Sequence, residues 1–183
     1  VRDCCLVTDG GGAIVLTSAE RARTLRKTPA YVLGVGETLS HLTVSNMADL
    51  TTTGAQRSGA QAYAMASLRP ADIQAVEVYD AFTINTVLFL EDLGFCPKGE
   101  GGRFVADGAI APGGRLAVNT NGGGLSYCHP GMYGIFLLIE AVRQLRGECG
   151  LRQIPNCATA IAHGNGGVLS SQSTVILGGP STV

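Results

Sequence analysis

Residues 119–134 read Asn-Thr-Asn-Gly-Gly-Gly-Leu-Ser-Tyr-Cys-His-Pro-Gly-Met-Tyr-Gly, a polar, glycine-rich loop that leads directly into an apolar helical pattern. Consecutive glycines let bare backbone amides approach a ligand closely. His129 lies just before the predicted helix, where an imidazole can move a proton or hold an anionic oxygen. The stretch therefore predicts one wall of an active site.

The composition is that of a globular protein with a metabolic ligand. The chain has 183 residues, of which 45% are hydrophobic and 15% charged, enough for one sizeable core. A net charge of −1 and the lack of a Lys/Arg cluster give no basis for nucleic-acid binding, and no apolar segment is long enough to span a membrane. The six cysteines form no metal-ligand spacing, so no metal site is expected, and they indicate a reduced, cytoplasmic protein.

Hydrophobic periodicity predicts alternating strands and helices. Strands are expected at 13–17, 30–43, 74–79, 115–118, 156–162 and 173–177, and helices from Ser18 and at 52–67, 82–93 and 132–146. The helix at 82–93 is apolar on nearly every face and is expected to be buried all round. Glycine-rich residues 163–168 are expected to connect the last two strands. The fold class is α/β, with helices packed between layers.

Two strand–helix junctions are candidates for the site. Tyr79-Asp80-Ala81-Phe82 and Cys128-His129-Pro130-Gly131 each lie where a predicted strand gives way to a helix, and α/β sheets bind ligands at such points. We expect the two junctions to form one pocket. Phe82 itself is expected in the core, and the alternative interpretations are a helix-capping role for Asp80 and a purely structural role for His129.

Four motifs, in the same order, resemble the thiolase superfamily. Residues 119–131 are similar to the Gly-His-Pro segment of sterol-carrier-protein-type thiolases and lipid-transfer thiolase-like proteins, and residues 4–16 resemble the end of the first half of those proteins. Residues 79–82 stand where that subfamily has His-Asp-Cys-Phe and biosynthetic thiolases have Asn-Glu-Ala-Phe. His163-Gly-Asn-Gly-Gly resembles the closing turn that carries a Cys-x-Gly motif in many thiolases.

The resemblance implies an αβαβα layered fold built from two similar halves. This chain would be mainly the C-terminal half, with a mixed five-stranded sheet. Residues 1–27 would end the N-terminal half, and residues 28–183 would form the C-terminal domain. The nucleophilic cysteine and much of the coenzyme A surface would lie in the missing N-terminal half. The complete enzyme is expected to be a homodimer.

The departures from the thiolase pattern predict a different reaction. Thiolases need an acid/base cysteine in one of two motifs, where this chain has Ala81 and His163. Relatives in steroid side-chain degradation resemble thiolases but act as retro-aldolases on β-hydroxyacyl-CoA, together with a small OB-fold, zinc-ribbon partner. By that resemblance His129 would hold the enolate oxygen. Tyr79 or Tyr133 would be the base or proton shuttle, which requires a lowered tyrosine pKa.

Further site residues and two other functions complete the hypothesis. His163 is expected either to line the pocket and move a proton or to cap the closing turn, and substrate contacts are expected from Asp80, Asn121, Gly123 and Gly166. No covalently bound cofactor is expected, because coenzyme A enters as part of the acyl-CoA substrate. The alternatives are a thiolase-type acyltransferase, with His163 in place of cysteine, and a non-catalytic lipid-binding subunit.

Overall fold

The structure, a computed structural model, describes residues 3–183 and contains one mixed five-stranded sheet. The strands are β1 (Tyr31–Leu39), β2 (Ala75–Val78), β3 (Ala117–Val118), β4 (Thr159–Gly166) and β5 (Ser171–Gly178). Their order is β1-β5-β4-β2-β3, with antiparallel pairing among β1, β5 and β4 and parallel pairing of β2 with β4 and β3. The predicted mixed sheet is confirmed.

Six α-helices and several 3₁₀ turns connect the strands in the described part of the chain. The helices are α1 (Ala19–Ala22), α2 (Ala55–Ala66), α3 (Thr83–Asp92), α4 (Gly101–Val105), α5 (Gly123–Ser126) and α6 (Gly134–Leu145). The 3₁₀ turns are Val44–Asn46, Pro70–Asp72, Ala106–Gly108, Gly150–Arg152 and Pro180–Thr182. The helices predicted at 52–67 and 132–146 are confirmed with slightly shorter bounds.

Helices cover both faces of the sheet. Side chains alternate along β4, so Ala162 faces α6 while the next residue, His163, faces α2 and α3. On the second face α2 lies unusually close to β1, because a Cβ added at Gly36 would be 2.0 Å from the Ser58 carbonyl oxygen. The core therefore lies between the sheet and these two helical layers.

The parallel strands determine where the functional residues gather. The carboxyl ends of β2, β3 and β4 lie at the same edge of the sheet. Tyr79 follows β2, Asn119 follows β3, and Gly166 ends β4. This edge therefore brings together the loops that carry the sequence motifs.

The strand predicted at 13–17 is wrong. These residues form no strand, and Val15 is 90% exposed. A strand is stable only beside a hydrogen-bonded neighbour, and no described strand pairs with this segment. The helix that follows is confirmed only as the short α1, whose Ser18 accepts a hydrogen bond from the Arg21 amide. The division between residues 27 and 28 stays a prediction.

Two other local predictions are wrong. Helix α3 is buried on one face only, because Phe82 before it is 49% exposed and Ile84 is 57% exposed. The closing turn lies at residues 167–170, since β4 continues through His163 as far as Gly166. The glycines of this motif fit the strand, because β5 supplies a hydrogen-bonded partner for each residue of β4.

Candidate functional site

A cavity of about 810 Å³ lies at the carboxyl edge of the parallel strands. Residues from three motifs line it: the Tyr79 junction, the His129 loop and the end of β4. The lining is Tyr79, Ala81, Phe82, Ile84, Asn85, His129, Gly131, Met132, Gly134, Gly164, Asn165, Gly166, Gly167, Val168, Leu169, Ser171 and Ser173. The structure thus brings the two predicted junctions together in one pocket.

His129 has a free ring nitrogen at this cavity. Its imidazole lies edge-on to the Tyr79 ring, with centroids 5.2 Å apart, and stacks on Tyr133 at 5.9 Å. The buried Nε2 makes no hydrogen bond within residues 3–183. A buried polar atom left unpaired costs about 1–3 kcal/mol, so native proteins keep few of them. The arrangement suits a nitrogen that pairs with a ligand.

Tyr79 is the tyrosine that reaches the cavity. It follows β2 directly, and its hydroxyl donates to the Gly131 carbonyl oxygen at 3.3 Å. Burial raises the pKa of Tyr79, and the hydrogen bond from the Tyr133 amide opposes this shift without cancelling it. The lowered pKa that a tyrosinate base requires is not found here.

Tyr133 lies behind the site rather than in it. It occupies the N-cap position of α6, is fully buried, and donates its hydroxyl to Asn121 Oδ1 at 3.1 Å. Burial raises its pKa well above the ordinary value. Tyr133 is not part of the cavity lining and instead supports the ring of His129.

Asp80 holds the glycine loop in place. Its carboxylate accepts from the amides of Gly124 (2.6 Å) and Leu125 (3.3 Å), and burial raises its pKa. It therefore binds the N-terminal turn of α5, and the predicted capping of α3 is not found, since the N-cap of α3 is Phe82 and no side chain of the described residues caps it. A Cβ at Gly123 would lie 2.1 Å from this carboxylate, which explains the glycine.

Asn121 also braces the loop. Its Oδ1 accepts from the Gly123 amide at 2.9 Å as well as from Tyr133. The structure places Asp80, Asn121 and Gly123 outside the cavity lining, whereas Gly166 lies in it. Of the four residues expected to contact substrate, only Gly166 is at the cavity wall.

His163 is a core residue of β4, and its predicted position in a turn is wrong. It is fully buried, with Nδ1 2.8 Å from Thr174 Oγ1 and Nε2 2.8 Å from Gln172 Oε1. Burial lowers its pKa to about 4, so the ring is neutral at physiological pH. His163 does not reach the cavity lining.

The N-terminal segment contributes contacts that the sequence did not reveal. Cys5 donates its amide to the Ala81 carbonyl at 2.9 Å, and Leu6 donates to that of Gly124 at 3.0 Å. Thr8 Oγ1 accepts from the His129 amide at 3.0 Å. This segment therefore ties the two motif loops to each other.

The core position predicted for Phe82 is wrong, because its ring is 49% exposed and lines the cavity with Ile84 and Asn85, which sequence reasoning missed. Hydrophobic periodicity could not reveal these positions, because an apolar run at the start of a helix has the same pattern whether it faces a core or a cavity.

Across residues 3–183, no helix combines the length and apolar character needed to cross a membrane.

Comparison with known proteins identifies the family. The family described as thiolase C-terminal domain-like matches residues 36–179. The chain belongs to this thiolase family. An acetyl-CoA acetyltransferase from Methanothermobacter thermautotrophicus is 41% identical over 167 residues, which cover 90% of this chain and 44% of that protein.

Two further similarities concern carbon–carbon cleavage. The 17-hydroxy-3-oxo-4-pregnene-20-carboxyl-CoA lyase of Mycobacterium tuberculosis is 46% identical over 152 residues, covering 79% of this thiolase domain and 38% of that protein. A solved structure described as an Ltp2-ChsH2(DUF35) aldolase superposes with a TM-score of 0.88 and 36% identity, over 97% of this chain and 46% of its own. The thiolase domain thus spans less than half the length of these relatives.

Proposed function

We propose that the polypeptide carrying this thiolase domain is an acyl-CoA lyase that cleaves a β-hydroxyacyl-CoA by a retro-aldol reaction. The observation that carries the proposal is the unpaired, buried Nε2 of His129 beside Tyr79 at one cavity. The names of the similar lyase and aldolase support the same reaction class.

The proposed reaction conserves atoms and needs no external oxidant. The β-hydroxyl gives up its proton, and the bond between the α and β carbons breaks to leave a ketone on one fragment. The bonding electrons pass into the thioester as an enolate. His129 Nε2–H donates to that enolate oxygen, and a proton returns to the α carbon to give a shorter acyl-CoA.

Tyr79 is proposed to move this proton. Its raised pKa keeps the phenol neutral, so a free tyrosinate is not the resting state. No net proton is consumed, because one leaves the hydroxyl and one reaches the α carbon. A neutral phenol can accept the proton of the β-hydroxyl while giving its own proton to the α carbon, which makes a shuttle more suitable than a tyrosinate base.

The acyl group is proposed to be large and apolar. Phe82, Ile84 and Met132 line the cavity and are exposed by 49%, 57% and 83%. Such surface favours an apolar ligand over a charged one. The steroid-derived substrate in the name of the similar lyase supports a steroid or comparable lipid, with coenzyme A bound as part of the substrate.

The complete protein is proposed to contain an N-terminal thiolase half that ends near residue 27, to form a homodimer and to act with a small OB-fold, zinc-ribbon partner. The coverage of less than half of each relative supports the missing half. The two components in the name of the similar aldolase structure support a partner.

The direct test uses the complete polypeptide, with its partner if one copurifies, and a β-hydroxyacyl-CoA in the absence of free coenzyme A. We expect a ketone and a shorter acyl-CoA in equal amounts, detected by mass spectrometry. Product formation that depends on added coenzyme A would contradict the aldolase proposal.

The proposal also predicts the effect of His129→Ala. Removing the donor to the enolate oxygen should lower kcat by about 100-fold or more, as loss of an oxyanion donor does elsewhere. Thermal unfolding should change by only a few degrees, because Nε2 makes no hydrogen bond within residues 3–183. A variant that unfolds while the remaining folded fraction stays active would show that His129 is structural.

A second candidate is thiolase-type acyl transfer, which the 41% identity to an acetyl-CoA acetyltransferase supports. The cavity favours it less, because Ala81 lines the wall where related thiolases carry a cysteine, and the buried His163 does not reach the cavity. The same assay separates the two reactions, since thiolysis consumes free coenzyme A.

A further inference from the structure

Four buried or half-buried polar side chains are aligned across β4 and β5. His163 pairs in register with Thr174, and Asn165 pairs with Gln172. Residues two apart on a strand share a face, so all four point the same way. His163, Thr174 and Gln172 are fully buried, whereas Asn165 lines the cavity.

The hydrogen bonds of this row fix the orientation of each member. Gln172 Nε2 lies 3.1 Å from the Leu169 carbonyl oxygen, which only accepts, so this end of the amide must be the nitrogen. Gln172 Oε1 then faces His163 Nε2 at 2.8 Å and requires that nitrogen to carry the proton. His163 Nδ1 consequently accepts from the Thr174 hydroxyl, also at 2.8 Å.

The same logic determines which end of the Asn165 amide faces Gln172. The second N–H of Gln172 points to Asn165 at 3.1 Å, so the atom of Asn165 at that position is the acceptor Oδ1. The Nδ2 group therefore points away from Gln172. It makes no hydrogen bond within residues 3–183, although its residue lines the cavity. The structure thus fixes the orientation of an amide whose residue belongs to the cavity wall.

We propose that Asn165 binds substrate, with its Nδ2–H donating to the oxygen on the β carbon, and that Gln172 and His163 are positioning residues for this amide. The inference rests on the proposed lyase function. A β-hydroxyacyl thioester has two oxygens next to the bond that breaks. His129 takes the thioester oxygen, which leaves the β oxygen as the acceptor for the second donor at the same cavity.

The experiment compares two ligands in the complete polypeptide: a β-hydroxyacyl-CoA, and the same acyl-CoA without the hydroxyl. Asn165→Ala and Asn165→Asp should each weaken binding of the hydroxylated ligand by about 3- to 10-fold, the usual range for one hydrogen bond. Binding of the ligand without the hydroxyl should change by less than about 2-fold. Equal losses for both ligands, or no loss for either, would overturn the assignment.

The positioning role has its own test. Gln172→Met removes both hydrogen bonds that orient Asn165 and His163 while keeping a similar volume. We expect the same selective loss for the hydroxylated ligand, and no further loss when Asn165→Ala is added, because the two changes break one interaction. Additive losses would show that Gln172 does not act through Asn165.

The outcomes separate this inference from the proposed function. If Gln172→Met fails to fold, the two Asn165 variants still decide whether the amide binds the β oxygen. Cleavage by the unaltered protein tests the lyase function independently. Normal cleavage together with unchanged ligand selectivity in the Asn165 variants would reject the inference and leave the lyase function standing.

Discussion

At the scale of single residues, the two central tyrosines have different surroundings despite similar sequence contexts. Tyr79 lines the cavity, whereas the Tyr133 hydroxyl is held by Asn121 behind it. We predict that Tyr79→Phe lowers kcat by about 100-fold or more with little change in Tm, since its hydroxyl makes only long hydrogen bonds of 3.3 and 3.5 Å.

Tyr133→Phe is the matched comparison. It should lower the free energy of unfolding by about 1 kcal/mol, because the half-buried Asn121 acceptor loses a donor, and should reduce kcat much less than the change at Tyr79. Steady-state kinetics and thermal unfolding of both variants test the pair. A larger loss of kcat at Tyr133 would reverse the assignment of the shuttle.

The sequence predicted His129 and Tyr79 correctly as neighbours because both follow from a local rule about strand ends. It could not reveal that Asp80 supports the loop, since that depends on which amides a carboxylate reaches in three dimensions. The burial of His163 was missed for a similar reason. In a sequence, a glycine-rich motif indicates a turn, and the pairing of this segment with β5 is visible only in the structure.

At the scale of elements, the close contact between β1 and α2 depends on two glycines of β1, which have no side chain to separate the strand from the helix. Cβ atoms at Gly34 and Gly36 would lie 2.1 and 2.0 Å from the carbonyl oxygens of Ala62 and Ser58. Backbone oxygens within a helix cannot move aside independently. These glycines therefore set the distance between the helix and the sheet.

Gly36→Ala should consequently lower the free energy of unfolding by about 1–3 kcal/mol, the usual cost of overpacking. Denaturant unfolding measures the change. Gly102→Ala in α4 is the control, because no atom lies within 4 Å of its added Cβ, and alanine favours the helix by roughly 0.5–1 kcal/mol. Equal free energies of unfolding for Gly36→Ala and Gly102→Ala would show that the close contact between β1 and α2 does not exclude a side chain at position 36.

Periodicity found α2, α3, α6 and most strands because their apolar faces are complete within the chain, but it missed the short helices α4 and α5. It failed at 13–17, where the apolar residues suit a strand but the described residues offer no pairing edge. Strand formation depends on a neighbour as well as on sequence. Helices satisfy their hydrogen bonds internally and were easier to predict.

At the scale of the whole molecule, a buried polar cluster joins the sheet to α6. The Thr120 hydroxyl lies 2.9 Å from Glu77 Oε1 and 2.7 Å from Glu140 Oε1. One hydroxyl proton cannot serve both oxygens. Arg152 pairs with Glu140 at 2.8 Å, and its hydrogen bond, together with that of Thr120, outweighs burial and lowers the pKa of Glu140. Within residues 3–183, Glu77 has no such cation beside it and is the carboxyl of the pair that keeps its proton, because burial raises its pKa.

Burial raises the pKa of Glu77 from 4.5 to about 8, and this links global stability to pH. The unfolded chain loses the Glu77 proton near its ordinary pKa, while the folded chain holds it until about pH 8. Its contribution is therefore fully present below about pH 4.5 and is lost as pH rises through 8.

Glu77→Gln should remove this dependence, because glutamine stays neutral. We expect the variant and the unaltered protein to have similar Tm values near pH 5, and the variant to gain about 5 °C or more by about pH 9. Titrating groups that do not interact with Glu77, such as the buried His163, affect both proteins equally and cancel in the difference. Glu140→Gln is the opposite control. It should lower Tm at neutral pH, because it leaves the Arg152 charge without its partner. If the Tm values of Glu77→Gln and the unaltered protein change in parallel with pH over this range, Glu77 is ionised in the folded state.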